Sequence, residues 1–485
     1  MQNFFKIGTV ICLLFLSATI FSQEYYFKHY KVENGMSNNS VLASIQDKDG
    51  FLWFGTKDGL NRFDGYHFKT FRSGSNPKTS LGINYIQSLH EFKNYIWVGT
   101  DKGLYSYDKK LDQFTFINEA INNRINAIDN DLKNNLWFIS IGTVIKYNVD
   151  TKQTNMFDGR NSFFATSITS DKNGTIWASS FDILYRYSEA TQSFEKIVKV
   201  PNITISAIYA LDTNTILIGT RDHGVYKYDT KSKKAYSIID GPQKPIFVRQ
   251  FKKNNKNELW IASESGVSIY NLKNETIKNL RKSASDPYAI SDNAAYCITI
   301  DKENGVWIGT YFGGVNYHQK QYDQFKKYFP RKNENAIVGS AVREIHKDNE
   351  GNLWIGTEDA GINKFNLQTK KFVNYQPDGT KSGLSFYNVH GVLPRGNKIW
   401  IGTFEHGLDI MDASSGKVIK HYDHKNSNLN SDFIVTFYET PEKKIYVVTS
   451  LGIYIYDEAN DSFKICDYFS ETTHYTCMFK DNDGN

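Results

Sequence analysis

Repeated four-stranded antiparallel sheets, an all-β architecture, are expected from this sequence on three grounds. The first is the spacing of its tryptophans, at Trp53, Trp97, Trp137, Trp177, Trp260, Trp307, Trp354 and Trp400. Successive gaps are 44, 40, 40, 83, 47, 47 and 46 residues. The long gap is two periods, because Leu217 stands where a tryptophan is due, and Tyr446 carries the period past Trp400. A fixed period of this length marks a repeat architecture. The second ground is the recurrence of Asp-Gly and Asn-Gly pairs, which supply the positive φ angles that tight hairpins need. The third is composition, since 31 Tyr and 33 Phe against only 9 Pro favour strands.

The first repeat shows the elements in order. Residues 41–45 form a strand, and Asp47-Lys48-Asp49-Gly50 reads as a tight two-residue hairpin turn. Residues 51–56 form the second strand, Lys57-Asp58-Gly59 turns again, and residues 60–64 and 67–71 supply the third and fourth. Four short strands in about 45 residues make one blade of a β-propeller. The second strand recurs as Trp97-Val98-Gly99-Thr100, Trp307-Ile308-Gly309-Thr310, Trp354-Ile355-Gly356-Thr357 and Trp400-Ile401-Gly402-Thr403. The small residue two places after the tryptophan shares its sheet face, because side chains alternate along a strand. A large ring beside a glycine implies close packing between blades, so the tryptophans are expected to be core. No repeat carries a 3.6-residue apolar pattern, which excludes helical solenoids. The hairpin turns argue against a β-solenoid of parallel strands.

Ten beats run from Trp53 to Tyr446, more than the roughly four to eight blades that close one propeller. Two rings are therefore expected. Residues 26–30 followed by 41–45 parallel residues 324–328 followed by 341–345, each pair being a fourth-type strand leading into a first-type strand. The first ring should thus span residues 23–321 in seven blades, with 25–31 closing it against the blade of Trp307. Residues 322–485 should hold a partial second ring of three blades and the start of a fourth. Residues 481–485 fall in the turn before an eleventh beat, so the sequence is expected to continue beyond them.

The amino terminus reads as an export signal over residues 1–22. Lys6 gives a positive start, an apolar stretch runs from 7 to 21, and Ser22 precedes a cleavage point before Gln23. Cys12 lies within it. The stretch is shorter than the about 20 apolar residues of a membrane span. Cys297 and Cys477 each stand four residues before an Asp, sharing a repeat position that holds Ala43, Ala127, Ser167 and Ala207 in other copies. A buried small-residue site is the expectation for both. Cys466 has no ligand-like spacing with either. The net charge of +5 is spread over 57 basic and 52 acidic residues without a dense basic block, so no nucleic-acid partner is expected.

The pattern Asp-x-x-Gly-x-hydrophobic-Trp-hydrophobic-Gly-Thr-x-x-x-Gly-hydrophobic, as in residues 348–362, resembles the two-component regulator propeller repeat. The resemblance covers residues 24–485. It implies the periplasmic sensor region of a hybrid histidine kinase, with two seven-bladed rings. A β-sandwich, membrane helix, kinase and DNA-binding output would follow, and none of their residues is present here. It also implies an oligosaccharide ligand, signalling to transcription, a homodimer in the full-length sensor, and membrane attachment only through a later segment.

Loops between second and third strands share one propeller face with the blade-to-blade links, and they vary most. Arg221 and His223, Tyr311 and Phe312, and Glu405 and His406 stand in three of them as ligand-face candidates, since aromatic rings and Arg/His donors suit carbohydrate. Two other classes remain open: a protein-interaction platform, and a secreted glycoside hydrolase or lyase. The Asp-Gly turns are reminiscent of sialidase Asp-boxes, but a hydrolase needs two carboxylates about 5–9 Å apart, and the acidic residues here recur at turn positions instead. No catalytic, metal or cofactor residues are expected. His90, His318 and His390 lack zinc spacing.

Overall fold

The computed structural model describes residues 25–76, 79–117, 122–157, 163–254, 257–319, 325–331, 334–469 and 473–479. The expected export signal with Cys12, residues 322–324 and the closing turn at 481–485 lie outside the described residues. Among the described residues the chain is all-β, in ten four-stranded antiparallel sheets. It divides into two compact units between Phe325 and Lys326.

The first sheet comprises Val41–Gln46, Leu52–Thr56, Gly59–Phe63 and Phe68–Phe71. These limits fall within a residue or so of the expected ones. In the first unit seven sheets follow one another, and each first strand packs on the next. The strand Ala295–Ile300 of the seventh sheet returns to Val41–Gln46 of the first, so the inner strands form a closed cycle. The seventh sheet takes its outer strand from the amino terminus: Lys28–Tyr30 pairs antiparallel with Val315–His318, Lys28 opposite Tyr317 and Tyr30 opposite Val315. Polar side chains stitch neighbouring inner strands together. Ser44 and Thr299 hydroxyls meet at 2.8 Å between first and seventh sheets, Ser88 donates to the Ile125 carbonyl, and Ser206 to that of Val248. The second unit holds three further sheets, beginning at Val342–Lys347, Val389–Arg395 and Ile434–Glu439.

The tryptophans are buried between sheets. Trp53 packs with Phe71, Ile86, Val98 and Tyr107 of its own and the next sheet. A buried aromatic removes on the order of 150–250 Å² from water, worth about 4–6 kcal/mol at ~25 cal/mol per Å² before ordering entropy is counted. The glycine beside the ring is required by the neighbour. A Cβ at Gly55 would lie 2.6 Å from the Ile86 side chain, and one at Gly309 would lie 2.4 Å from the Cys297 sulfur.

Two repeated features explain the motif. Asp47 Oδ1 accepts the N–H groups of Asp49 (3.0 Å) and Phe51 (2.9 Å), while Oδ2 accepts the Trp53 indole N–H at 2.9 Å. Asp131 with Trp137, Asp171 with Trp177, Asp301 with Trp307 and Asp348 with Trp354 repeat that indole bond at 2.8–3.1 Å. The threonine closing the second strand donates to a carbonyl across the following hairpin, Thr56 to Gly59 at 2.8 Å and Thr310 to Gly314 at 2.9 Å.

Three expectations change. The turn after the first strand is not a two-residue hairpin, because Gln46 pairs with Leu52 and residues 47–51 form a loop folded around the Asp47 carboxylate. Gly50 does take a positive φ of 97° there. Cys297 is buried, but Cys477 is exposed in residues 473–479, which form no strand among the described residues. Residues 325–331 likewise form no strand, whereas Lys28–Tyr30 is one because it finds Val315–His318 to pair with.

Candidate ligand-binding mouth of the first unit

The site arises from a repeated irregularity. In six of the seven sheets of this unit, the pairing of first and second strands skips one residue near its start. The skips fall between Val41 and Ala43, Ile86 and Ser88, Ile125 and Ala127, Ile205 and Ala207, Val248 and Gln250, and Ala295 and Cys297. The skipped residues are Leu42, Gln87, Asn126, Ser206, Arg249 and Tyr296. A bulge of this kind bends the strand and re-aims its side chain. All six wall one cavity of about 620 Å³. They come from six sheets of a closed cycle, so the cavity lies on the axis of the ring.

Alternation adds a second tier. Ile86, Ile125, Ile205 and Val248 point into the seams between sheets and are fully buried. The residue before each, Tyr85, Arg124, Thr204 and Phe247, therefore faces the other way and also walls the cavity. Arg221 and Tyr311 close it from the loops between second and third strands.

The chemistry is cationic and aromatic. The Arg249 guanidinium lies 3.9 Å from the Phe247 ring centre and 4.4 Å from that of Tyr296. It also pairs with Glu264 and donates to the Tyr296 hydroxyl at 3.1 Å, while its Nε is buried without a hydrogen-bond partner. Arg221 lies 5.1 Å from the same Phe247 ring. Such contacts are worth roughly 0.5–2 kcal/mol each, more as water is excluded. Tyr296 and Tyr311 lie 5.1 Å apart at 32°, and Lys57 sits 3.8 Å over the Tyr311 ring. Arg124 pairs with Asp101 at 3.0 Å, and Asp101 also accepts from Gln87 at 2.7 Å. Burial pushes the Tyr296 phenol up to about 12, helped by Glu264 and opposed by Arg249. The Tyr296 hydroxyl donates to Glu264 at 3.2 Å. No Asp or Glu walls the cavity.

Below the mouth a second cavity of about 370 Å³ shares Leu42, Gln87, Asn126, Arg249 and Tyr296 as walls and reaches Lys252 and Asp129. Burial pulls the Lys252 ammonium below its ordinary pKa, and the Asp129 charge offsets part of that. Among the described residues no group of three or more His, Cys, Asp or Glu could hold a metal ion.

Of the six residues singled out from the sequence, the structure brings Arg221 and Tyr311 to this mouth. His223 lies outside its wall, paired with Asp222 at 2.7 Å. Phe312 is 72% exposed, edge-on to Tyr311 at 4.7 Å. Glu405 and His406 belong to the second unit, where His406 stacks on Phe386 at 3.8 Å and 6°. That unit repeats the bulge at Arg343, His390 and Val435. The His390 ring lies 4.8 Å from Phe433 and 5.9 Å from Phe404, and burial followed by the Arg343 charge lowers its pKa.

Sequence reasoning missed Arg124, Phe247, Arg249 and Tyr296 by looking only at loops. Their signal is local: each flanks the buried residue that opens a first strand, as in Phe247-Val248-Arg249.

Fold and mouth together define the class, a β-propeller protein with an axial cavity of ligand size. The chain carries the two-component regulator propeller repeat, whose family pattern matches residues 35–58, 289–312 and 337–359. Over 75 residues it is 41% identical to Histidine kinase P4 of Formosa agariphila, a stretch covering 15% of this chain and 6% of that protein's length. The extracellular domain of a hybrid two-component system from B. thetaiotaomicron shares the fold at 24% identity and a TM-score of 0.64, over 92% of this chain and 67% of that one. A second such domain from the same organism aligns at 18% identity and a TM-score of 0.53, over 95% of this chain and 69% of that one.

Proposed function

We propose that this chain is the exported, ligand-sensing region of a membrane-bound two-component sensor, and that it takes an oligosaccharide in the axial mouth of its first unit. The observation that carries the reading is the mouth itself: six bulged side chains, aromatic rings and arginines converge on a cavity large enough for a small saccharide. Rings such as Phe247, Tyr296 and Tyr311 offer flat apolar faces to sugar C–H groups. Arginine, Gln87, Asn126 and Ser206 offer hydrogen bonds to hydroxyls. The repeat family and the two-component neighbours support the sensor context. On this reading residues 23–321 and 322–485 are separate propeller rings following a signal at 1–22, and the signalling domains lie in a longer protein that forms a homodimer.

To signal, the ligand must bind one arrangement of the sensor more tightly than another, typically by about 1–3 kcal/mol. A two-carboxylate hydrolase is disfavoured at this cavity because no acidic residue walls it. The test is calorimetric titration of the purified chain with a saccharide panel, followed by chromatography of the recovered sugar. Saturable binding with the sugar returned intact is expected. Shortened or unsaturated products would replace the sensor reading with an enzyme. Failure to bind any saccharide would leave a protein-interaction platform instead.

A further inference from the structure

We infer that the mouth of the first unit selects an anionic saccharide, one bearing carboxylate or sulfate groups, with Arg221 and Arg249 as its principal anchors. This rests on the saccharide reading above and names the class of ligand.

Three cations, Arg124, Arg221 and Arg249, line one cavity beside its aromatic walls, and Lys57 lies over the Tyr311 ring outside that lining. Asp101 pairs with Arg124 and Glu264 with Arg249, and neither acid is among the residues that line the cavity. Other nearby acids are engaged elsewhere, Asp58 with Arg72 and Asp222 with His223. The positive charge at the mouth is therefore only partly neutralised by the protein.

Arg221 and Arg249 make the point sharpest. Both guanidinium groups lie against the single Phe247 ring, at 5.1 and 3.9 Å from its centre. Two like charges on one ring repel unless something lies between them. Glu264 engages Arg249, so an anion in the cavity is the group that would satisfy Arg221. Arginine is suited to this task because its planar fork matches the oxygens of carboxylate and sulfate, and its weak hydration lowers the cost of burying it. The Tyr296 hydroxyl beside them accepts from Arg249 at 3.1 Å and donates to Glu264 at 3.2 Å. Phe247 itself holds a left-handed backbone at φ 50°, and its N–H bonds to the Arg221 carbonyl at 2.5 Å. The backbones that carry the ring and the arginine are thus tied to each other. A neutral sugar would use the rings and leave this charge unanswered.

The experiment is calorimetric titration of the chain with three tetrasaccharides: an oligogalacturonate for carboxylate, a carrageenan fragment for sulfate, and cellotetraose as neutral control. Binding of at least one anionic probe is expected, about tenfold or more tighter than cellotetraose, and weakening as salt is raised to about 0.5 M. The tighter of the two anionic probes identifies the group. Arg221→Gln changes a solvent-facing side chain and should leave the melting temperature unchanged while weakening that probe about tenfold. Glu264→Gln removes the carboxylate that competes for Arg249 and should tighten it. Cellotetraose binding as tightly as the anionic probes, or an Arg221→Gln protein of unchanged affinity, would overturn the anionic assignment and leave the saccharide reading standing. Absence of binding by all three would overturn both.

Discussion

Val41 and Val342 hold the same place in their sheets, each opposite the threonine that closes the second strand, Thr56 and Thr357. Val41 is 0% exposed and Val342 is 48% exposed. Three positions further on, Ser44 is buried and Ile345 is 56% exposed. The sheets themselves are alike; what differs is the neighbour. Val41 is covered by the seventh sheet, with a Cβ at Gly309 only 2.7 Å from it, while Val342 belongs to the sheet with which its unit begins. In the first unit the core therefore lies between sheets, the seventh sheet covering the first. The mouth is built in the same way, its wall drawn from six sheets of that cycle.

The largest test of this difference is Trp137→Ala. It deletes a fully buried ring and leaves the Asp131 carboxylate without its indole donor. A loss of about 3–5 kcal/mol from the first unit is expected. Calorimetry should show its transition moving down while that of the second unit stays in place. A common shift of both transitions would show that the two units do not unfold independently.

How much of this was legible beforehand follows from what repeats. The tryptophan spacing, the Gly after it and the strand limits recur in nearly every copy, so they stood out from a single sequence. The Asp-to-indole bond, made by five of the eight tryptophans, looked like turn chemistry, because the acceptor and donor are six residues apart and only the fold joins them. The sequence did not pair the two residues either, since Trp97, Trp260 and Trp400 follow Glu91, Asn254 and Pro394 where the aspartate would be. The mouth was half legible. Arg221 and Tyr311 interrupt loops and attract notice, whereas Arg249 and Tyr296 sit inside strands and reach the axis only because a bulge turns them. Cys477 differs from Cys297 because the described residues around it, 473–479, form no strand, so the repeat position is not set into a sheet there.

A smaller effect compares the two valines directly. Val41→Ala should cost about 1–3 kcal/mol, because it opens a gap in a fully buried seam. Val342→Ala should stay within about 0.5 kcal/mol, as exposed substitutions do. Urea melts of the two variants, read against the matching unit's transition, give the ratio. Equal losses would mean that burial within the sheet, not between sheets, sets the core.

The smallest expected effect is a difference in pH response. Burial pushes the Asp131 carboxyl up, but bonds from Trp137, Asn135 and the backbone outweigh it and hold its pKa below the ordinary 3.8. A group depressed on folding contributes above its unfolded value and loses that contribution as pH falls through the folded one. The first unit should therefore lose this share only below pH 3.8. In the second unit Asp348 behaves in the same way, burial again being outweighed by bonds from Asn352 and Trp354. That unit also carries His421, whose bond to Asp409 at 2.8 Å raises its pKa above 6.5 against the effect of burial. A raised group contributes fully below its unfolded value and loses that contribution as pH climbs through the folded one. The second unit should thus soften above pH 6.5 where the first does not share this loss. His421 is about a third exposed, so solvent screening keeps its share under about 1 kcal/mol. Melts from pH 5 to 9 with His421→Gln should abolish the alkaline drift of the second transition and leave the first unchanged. A drift that survives the substitution would assign it to another group.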